Sequence, residues 1–242
     1  MKAVILCAGL GKRMGSYTKD CPKPLLKVKN LTIIEWQIIA LKKIGVTKIF
    51  INLHYLPKMI VDHLKDGKYL GVKIEYIYQK RLNGTGGGLK LFENFLKNEK
   101  FFFVIYGDIL TNESLDELVK FHIFNKAECS MYFHESENSN SLLYINEKNG
   151  SVIDFLERPN LEERKNFIEK YKIKNHYVNS CIYLMNPSIF SYMINKNFID
   201  IPRDIFHKII SKNKLYALKI KKTRFAIDTV EKLNHARKVF AE

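Results

Sequence analysis

The chain has 242 residues, 46% of them hydrophobic and 27% charged, with 12 glycines and 6 prolines. Those are globular proportions, and they exclude collagen-like, low-complexity and wholly disordered chains. Lys and Arg total 40 against 25 Asp and Glu, a net charge of +15, yet the lysines are scattered and the densest short cluster is Lys219, Lys221, Lys222 and Arg224. That distribution points to attraction for polyanionic small molecules rather than to a nucleic-acid surface.

Residues 2–7 form a short, almost wholly apolar run, as expected of a strand buried on both faces, and it breaks at Gly9-Leu10-Gly11. Residues 33–44 carry Ile34, Ile38 and Leu41 at helical spacing, with Gly45 as a C-terminal stop. A strand over 48–52, a helix over 57–64 and an alternating strand over 72–78 follow. A Gly-rich turn is expected at 84–88, then a helix over 89–96 and a buried strand over 101–106 that ends at Gly107-Asp108. Strand and helix alternate with short connections, which calls for a mostly parallel sheet with helices on both faces. Beyond about residue 115 the pattern changes to strands over 129–133, 142–145, 151–155 and 178–185, a charged helix over 162–170, and closing helices over 201–210 and 230–240. One domain over 1–242 is expected, divided at residue 114 into a regular first half and an elaborated second half.

No apolar run approaches the ~20 residues of a spanning helix. The first apolar patch runs into Lys12-Arg13 without a small-residue cleavage pattern, which argues against a signal peptide. A cytoplasmic protein with no membrane and no nucleic-acid partner is expected. Cys7, Cys21, Cys129 and Cys181 lie far apart without metal-ligand spacing, and Cys7 and Cys181 read as buried free thiols of a reducing compartment. His134, His176 and His207 have no catalytic partner at suitable spacing and read as structural, His54 after its strand reads equally as a capping or structural residue and as a ligand contact, and Trp36 reads as core.

In a mostly parallel sheet, ligands bind beyond the carboxyl ends of the strands. Residues 8–13, residues 79–88 and Asp108 all fall at such ends. Gly9 and Gly11 free backbone N–H groups to approach phosphate oxygens, and Lys12 and Arg13 add charge. The dinucleotide fingerprint fails because Met14 takes the place of its last glycine, and no P-loop spacing occurs. Lys23 stands between Pro22 and Pro24, whose restricted backbones fix where the ammonium points.

Together, Ala8-Gly9-Leu10-Gly11-Lys12-Arg13-Met14 and Pro22-Lys23-Pro24-Leu25-Leu26 resemble the signature of the sugar-1-phosphate nucleotidyltransferases. The resemblance continues through Asn83-Gly84-Thr85-Gly86-Gly87-Gly88, Tyr106-Gly107-Asp108-Ile109-Leu110-Thr111, Phe155-Leu156-Glu157-Arg158-Pro159 and Val178-Asn179-Ser180-Cys181-Ile182-Tyr183. It implies an α/β, Rossmann-like three-layer sandwich with a mostly parallel central sheet, the GT-A-like nucleotidyltransferase fold. It implies attack by a sugar phosphate oxygen on the α-phosphorus of a nucleoside triphosphate, with Mg²⁺ as cofactor and a homo-oligomer left open. On this resemblance Arg13, Lys23 and Asp108 are catalytic. Leu6, Ala8, Gly9, Gly11, Lys12, Gln79, Gly84, Thr85 and Gly86 bind nucleotide, and Gly107, Glu157, Arg158 and Asn179 bind the sugar phosphate.

Four departures stand out: Gln79 where many relatives have Glu, Asn83 where many have Leu, Cys181 for a small Gly, and Ala226 for the second metal-binding Asp. Asp228, two positions on, is either a metal ligand beside Asp108 or the N-cap of the last helix. The resemblance leans towards compact guanylyltransferases acting on D-glycero-D-manno-heptose 1-phosphate or mannose 1-phosphate. A UTP- or CTP-dependent enzyme acting on another phosphorylated sugar or polyol, and a non-catalytic nucleotide-binding relative, stay open as alternatives.

Overall fold

A computed structural model describes residues 1–137, 139–193 and 197–240. Strand β1 (Lys2–Leu6) lies between β4 (Lys48–Leu53) and β6 (Phe102–Tyr106), parallel to both. Strand β5 (Lys73–Tyr78) adds in parallel beyond β4. These four strands are the parallel centre that the alternating pattern calls for. Their side chains alternate between two cores: Ala3 and Ile5 pack on one face, Val4 on the other. The continuous apolar run of β1 follows from burial on both sides.

Helix α1 (Ile33–Lys43) begins with a capping box in which Thr32 accepts from the Glu35 N–H and the Glu35 carboxylate accepts from the Thr32 N–H. Its Ile34, Ile38 and Leu41 join α2 (Pro57–Leu64) and α5 (Leu115–Phe124) over one face. The short helices α3 (Gly84–Lys90) and α4 (Glu93–Leu96), with α7 (Phe206–Ile210), cover the other face. Three layers result.

The second half extends the same sheet. Strand β11 (Tyr177–Met185) pairs antiparallel with β6 and with β8 (Cys129–Glu135), which in turn pairs with β12 (Leu215–Lys219). Strands β9 (Ser141–Ile145) and β10 (Val152–Glu157) form an antiparallel edge, and α6 (Leu161–Tyr171) carries its own capping box at Asn160 and Glu163. Two small ribbons stand apart: β2 (Lys27–Val28) with β3 (Leu31–Thr32), and β7 (Ile109–Thr111) with β13 (Arg224–Ala226). The last helix, α8 (Val230–Val239), packs through Leu233 and Ala236 on a third, smaller core.

Four local expectations need correction. The Gly-rich segment at 84–88 is helical, not a turn, and the expected helix over 89–96 is split at Leu91 and Phe92 between α3 and α4. The expected helix over 201–210 opens with a wide π-type turn over Ile201–Ile205 before α7 begins. Trp36 is only half-buried, its indole N–H donating to the Val28 carbonyl and its ring edge-on to Phe240.

Candidate functional site

The carboxyl ends of the four parallel strands converge on one cleft of about 320 Å³, lined by Leu6 from β1, Asn52 from β4, Gln79 just past β5 and Tyr106 from β6. Its floor is laced by a directed hydrogen-bond chain. The Cys7 backbone N–H donates to Asn52 Oδ1 (2.8 Å), so the Asn52 amide must present Nδ2 to Gln79 Oε1 (3.0 Å). Gln79 Nε2 is thereby left buried without a partner among the described residues. A Cβ on Gly88 would lie 2.6 Å from Asn52 Nδ2, which explains why no side chain stands there.

The cleft's upper wall explains the glycines of α3. Ile199 O accepts from the N–H groups of Gly86 (2.7 Å) and Gly87 (3.1 Å), and a Cβ on Gly86 would lie 2.5 Å from Ile199 Cγ2. The Thr85 hydroxyl accepts from the Ile201 N–H and donates to Asp200 Oδ2. These groups hold the segment over 197–201 against the loop. Phe198 and Asp200 of that segment line the cleft beside Gly84 and Thr85.

Lys23 opens a single 3₁₀ turn after the extended Pro22. Its Nζ lies 3.3 Å from Asp108 Oδ2, and its side chain is only 12% exposed. Gly107 lets this happen: its N–H donates to the Leu6 carbonyl, and a Cβ there would meet Cys7 Sγ at 2.7 Å. Asp108 therefore turns out of β6 at the mouth of the cleft, where a second cavity of about 440 Å³ begins.

That second cavity is the more polar. The Ile227 N–H donates to the Asp108 carbonyl (2.8 Å), which ties the β13 exit to Asp108. Asp228 follows, its carboxylate held by Arg13 (2.9 Å) and Lys232 (2.7 Å). Partial burial works to raise the Asp228 pKa, but the Lys232 hydrogen bond and the charges of Lys232, Arg13 and Lys23 outweigh it and hold the carboxyl below its usual range. Thr229, not Asp228, caps α8 by accepting from the Lys232 N–H, so the capping alternative for Asp228 is overturned.

Across the cavity, burial and the nearby Asp200 raise the Glu157 pKa to about 7, against the opposing charges of Arg158 and Arg203. Arg158 takes a left-handed backbone (φ 50°) and borders both cavities. Asn179 donates to Tyr183 OH (2.7 Å) and accepts from the Cys181 N–H (2.9 Å). Cys181 is half-buried, contrary to expectation, and sits at φ 59° where the β11–β8 register slips, so it borders the cavity while still packing against the core.

Leu6, Ala8, Gly9, Lys23, Gln79, Gly84, Thr85, Gly107 and Asp108 thus surround the first cavity, and Arg13, Glu157, Asn179 and Asp228 the second. Gly11, Lys12 and Gly86 border neither; Lys12 faces a separate shallow groove beside Tyr55. Sequence reasoning missed Asn52, Asp200, Arg224 and Lys232, and it read His134 as merely structural although His134 borders the second cavity. A polar residue near the end of the apolar β4 was the one available signal, for Asn52. Among the described residues no group of three or more His, Cys, Asp or Glu side chains could cage a metal ion. Asp108 and Asp228 both border the second cavity, and one or two carboxylates completed by phosphate oxygens is the donor set Mg²⁺ prefers. No helix among those residues is long and apolar enough to cross a membrane.

Residues 2–224 match the profile of the family described as "Nucleotidyl transferase". The chain is 32% identical over 219 residues to a mannose-1-phosphate guanyltransferase 2 of Candida glabrata, covering 89% of this chain and 58% of that protein. It is 29% identical over 223 residues to a mannose-1-phosphate guanylyltransferase catalytic subunit beta of Dictyostelium discoideum, covering 91% and 59%. The chain thus spans a little under three fifths of these relatives. Its fold coincides with that of a candidate glucose-1-phosphate thymidylyltransferase of Bacillus anthracis (TM-score 0.86, 23% identity, 99% and 94% of the two chains). It also coincides with HddC of Yersinia pseudotuberculosis complexed with GMP-PN (TM-score 0.76, 20% identity, 99% of each chain).

Proposed function

The chain belongs to the nucleotidyl transferase family, and from that premise we propose that it transfers a nucleotidyl group from a nucleoside triphosphate to a sugar 1-phosphate, releasing pyrophosphate. GTP with mannose 1-phosphate is the leading pair, supported by the names of the curated relatives; D-glycero-D-manno-heptose 1-phosphate is the alternative acceptor and rests on the sequence resemblance alone. The observation that carries the reading is the junction of the two cavities at Lys23 and Asp108. One cavity, lined mostly by residues 1–114, takes the nucleotide, and the other, lined mostly by residues 115–242, takes the sugar phosphate.

The reaction needs no general base, because the sugar phosphate oxygen is already anionic near neutral pH. What the site must supply is alignment of two anions that repel each other, about 4 kcal/mol per unit-charge pair at ~4 Å and an effective dielectric of 20. Lys23 stands where the attacking phosphate and the α-phosphate meet. Arg13 lies across from it on Asp228, and Arg158, at the border of both cavities, reaches either phosphate. Asp108 and Asp228 would hold Mg²⁺, which supplies further neutralisation of the triphosphate when bound. Glu157, near neutrality, offers a hydroxyl-binding carboxyl to the sugar.

Gln79 supports a choice of base. Its unpartnered Nε2 is a donor, so it suits a base edge that offers a carbonyl, such as guanine O6 or uracil O4, over one that offers an amino group at that position, as cytosine N4 and adenine N6 do. UTP is therefore the second reading, ahead of CTP. Pyrophosphate release with each of five nucleoside triphosphates against a panel of sugar 1-phosphates tests the proposal. Release above background with GTP or UTP supports it; no release with any pair removes it in favour of a nucleotide-binding role without catalysis.

A further inference from the structure

The basic cluster near the carboxyl end of the chain does not act as one surface. Lys219 pairs with Glu135 and Lys221 with Glu117, both on the outside, and the Lys222 N–H donates to Glu113. Arg224 alone turns inward. It begins β13, opposite Thr111, and it and Ala226, two positions on, both border the second cavity.

The partners of Arg224 are unusual for a cation at a cavity wall. Its Nη1 lies 3.4 Å from His134 Nε2, and its Nη2 donates to the Ser180 carbonyl at 3.2 Å. A guanidinium only donates, so His134 Nε2 must be the unprotonated nitrogen, and Nδ1–H then faces Ser180 Oγ at 2.8 Å. Burial and the charges of Arg224 and Lys232 keep that ring neutral, its pKa pressed down to about 3. Both partners of Arg224 are therefore uncharged. The other cations at this cavity are already engaged: Arg13 and Lys232 with Asp228, and Arg158 against Glu157 at 3.7 Å. Arg224 forms no ion pair among the described residues, and its Nε is buried without a partner. A half-buried cation held only by neutral acceptors is costly to desolvate, and an anion in the cavity offsets that cost.

We propose that Arg224, propped by a neutral His134, is an anion-binding residue for the second substrate, taking a phosphate or carboxylate group on its planar N–H face. The identity of that substrate as a sugar 1-phosphate rests on the preceding section; the anion site does not. The anion is either the acceptor's own 1-phosphate or a second acid group on the sugar. His134 acts as a positioning residue, since it holds the guanidinium through Nε2 and is itself held by Ser180 Oγ.

The test is calorimetric titration of the whole protein with inorganic phosphate and, separately, with a uronic acid, for the wild type, Arg224→Gln and Arg224→Lys. Acceptor and nucleotide KM are then measured with a neutral and a uronic sugar 1-phosphate. A charge-assisted contact of this kind is worth at least about tenfold in affinity. If the 1-phosphate is the anion, Arg224→Gln weakens inorganic phosphate and raises KM for both acceptors at least tenfold, with nucleotide KM unchanged. If a second acid group is the anion, only the uronic acid and the uronic acceptor are affected. Arg224→Lys keeps the cation but not the fork and shows a smaller loss in the same direction, which decides the matter should the Gln variant fail to fold. Unchanged titrations and unchanged acceptor KM overturn the proposal. Should no nucleotide and acceptor pair turn over, the titrations alone still decide it.

Discussion

Replacing Lys23 with Met removes the cation paired with Asp108 at the junction of the two cavities while keeping an apolar stem of similar length. Lys23 Nζ is 3.3 Å from Asp108 Oδ2, so part of its field is already spent on that carboxylate. A free ammonium ~4 Å from a phosphate charge contributes about 4 kcal/mol at an effective dielectric of 20. If the Asp108 pairing halves that, about 2 kcal/mol remains for the transition state, a loss of roughly thirtyfold in kcat. The fold should tolerate the change, because the Asp108 side chain is 29% exposed and water can take over its solvation. Pyrophosphate release at saturating substrates reports kcat, and thermal melting reports the fold. A Lys23→Met variant that melts like the wild type and turns over within threefold of it would refute the assignment.

Other residues give separate tests. Asp228→Asn leaves the Thr229 cap intact, so the protein should stay folded yet need about tenfold more Mg²⁺ for half-maximal turnover; an unchanged Mg²⁺ titration would remove Asp228 from metal binding. Glu157 is raised by burial to about 7 from an ordinary carboxylate value, so the folded state binds its proton more tightly than the unfolded state does. Its contribution is fully present below the ordinary value and is lost as pH rises through 7. Glu157→Gln should therefore melt increasingly above the wild type between pH 5 and pH 8.5, and a gap that does not change with pH would count against the buried carboxyl. Gly86→Ala places a Cβ 2.5 Å from Ile199 Cγ2 and should cost about 1–3 kcal/mol in denaturant unfolding. An unshifted midpoint would contradict the close approach of the segment over 197–201.

The first cavity was largely legible in the sequence because it is built at the ends of parallel strands. Such strands announce themselves as apolar runs, and their ends as glycines and charges: Leu6 to Gly9, Gln79, and Gly107-Asp108. The glycines of α3 were read as a turn that would face a ligand. Two of their N–H groups go instead to Ile199, more than a hundred residues away, a contact that no local pattern reveals. The second cavity was legible only in part. His134 and Arg224 are 90 residues apart and meet because β12 pairs in parallel with β8 and the chain beyond it stays beside β8, the Ile220 N–H donating to the Phe133 carbonyl. Neither residue has a neighbour in sequence that marks it. Asp228 was identified as a choice between ligand and cap, and the hydrogen bond to Thr229 Oγ1 removes the cap.

The central claim is that an oxygen of the acceptor phosphate attacks the α-phosphorus at the junction held by Lys23 and Asp108. Acceptor labelled with ¹⁸O throughout its phosphate, incubated with the nucleotide selected by the pyrophosphate screen, reports this directly through the masses of both products. The account predicts that every label stays in the nucleotide sugar and that the pyrophosphate carries none. Label in the released pyrophosphate, or loss of label from the nucleotide sugar to water, would contradict it.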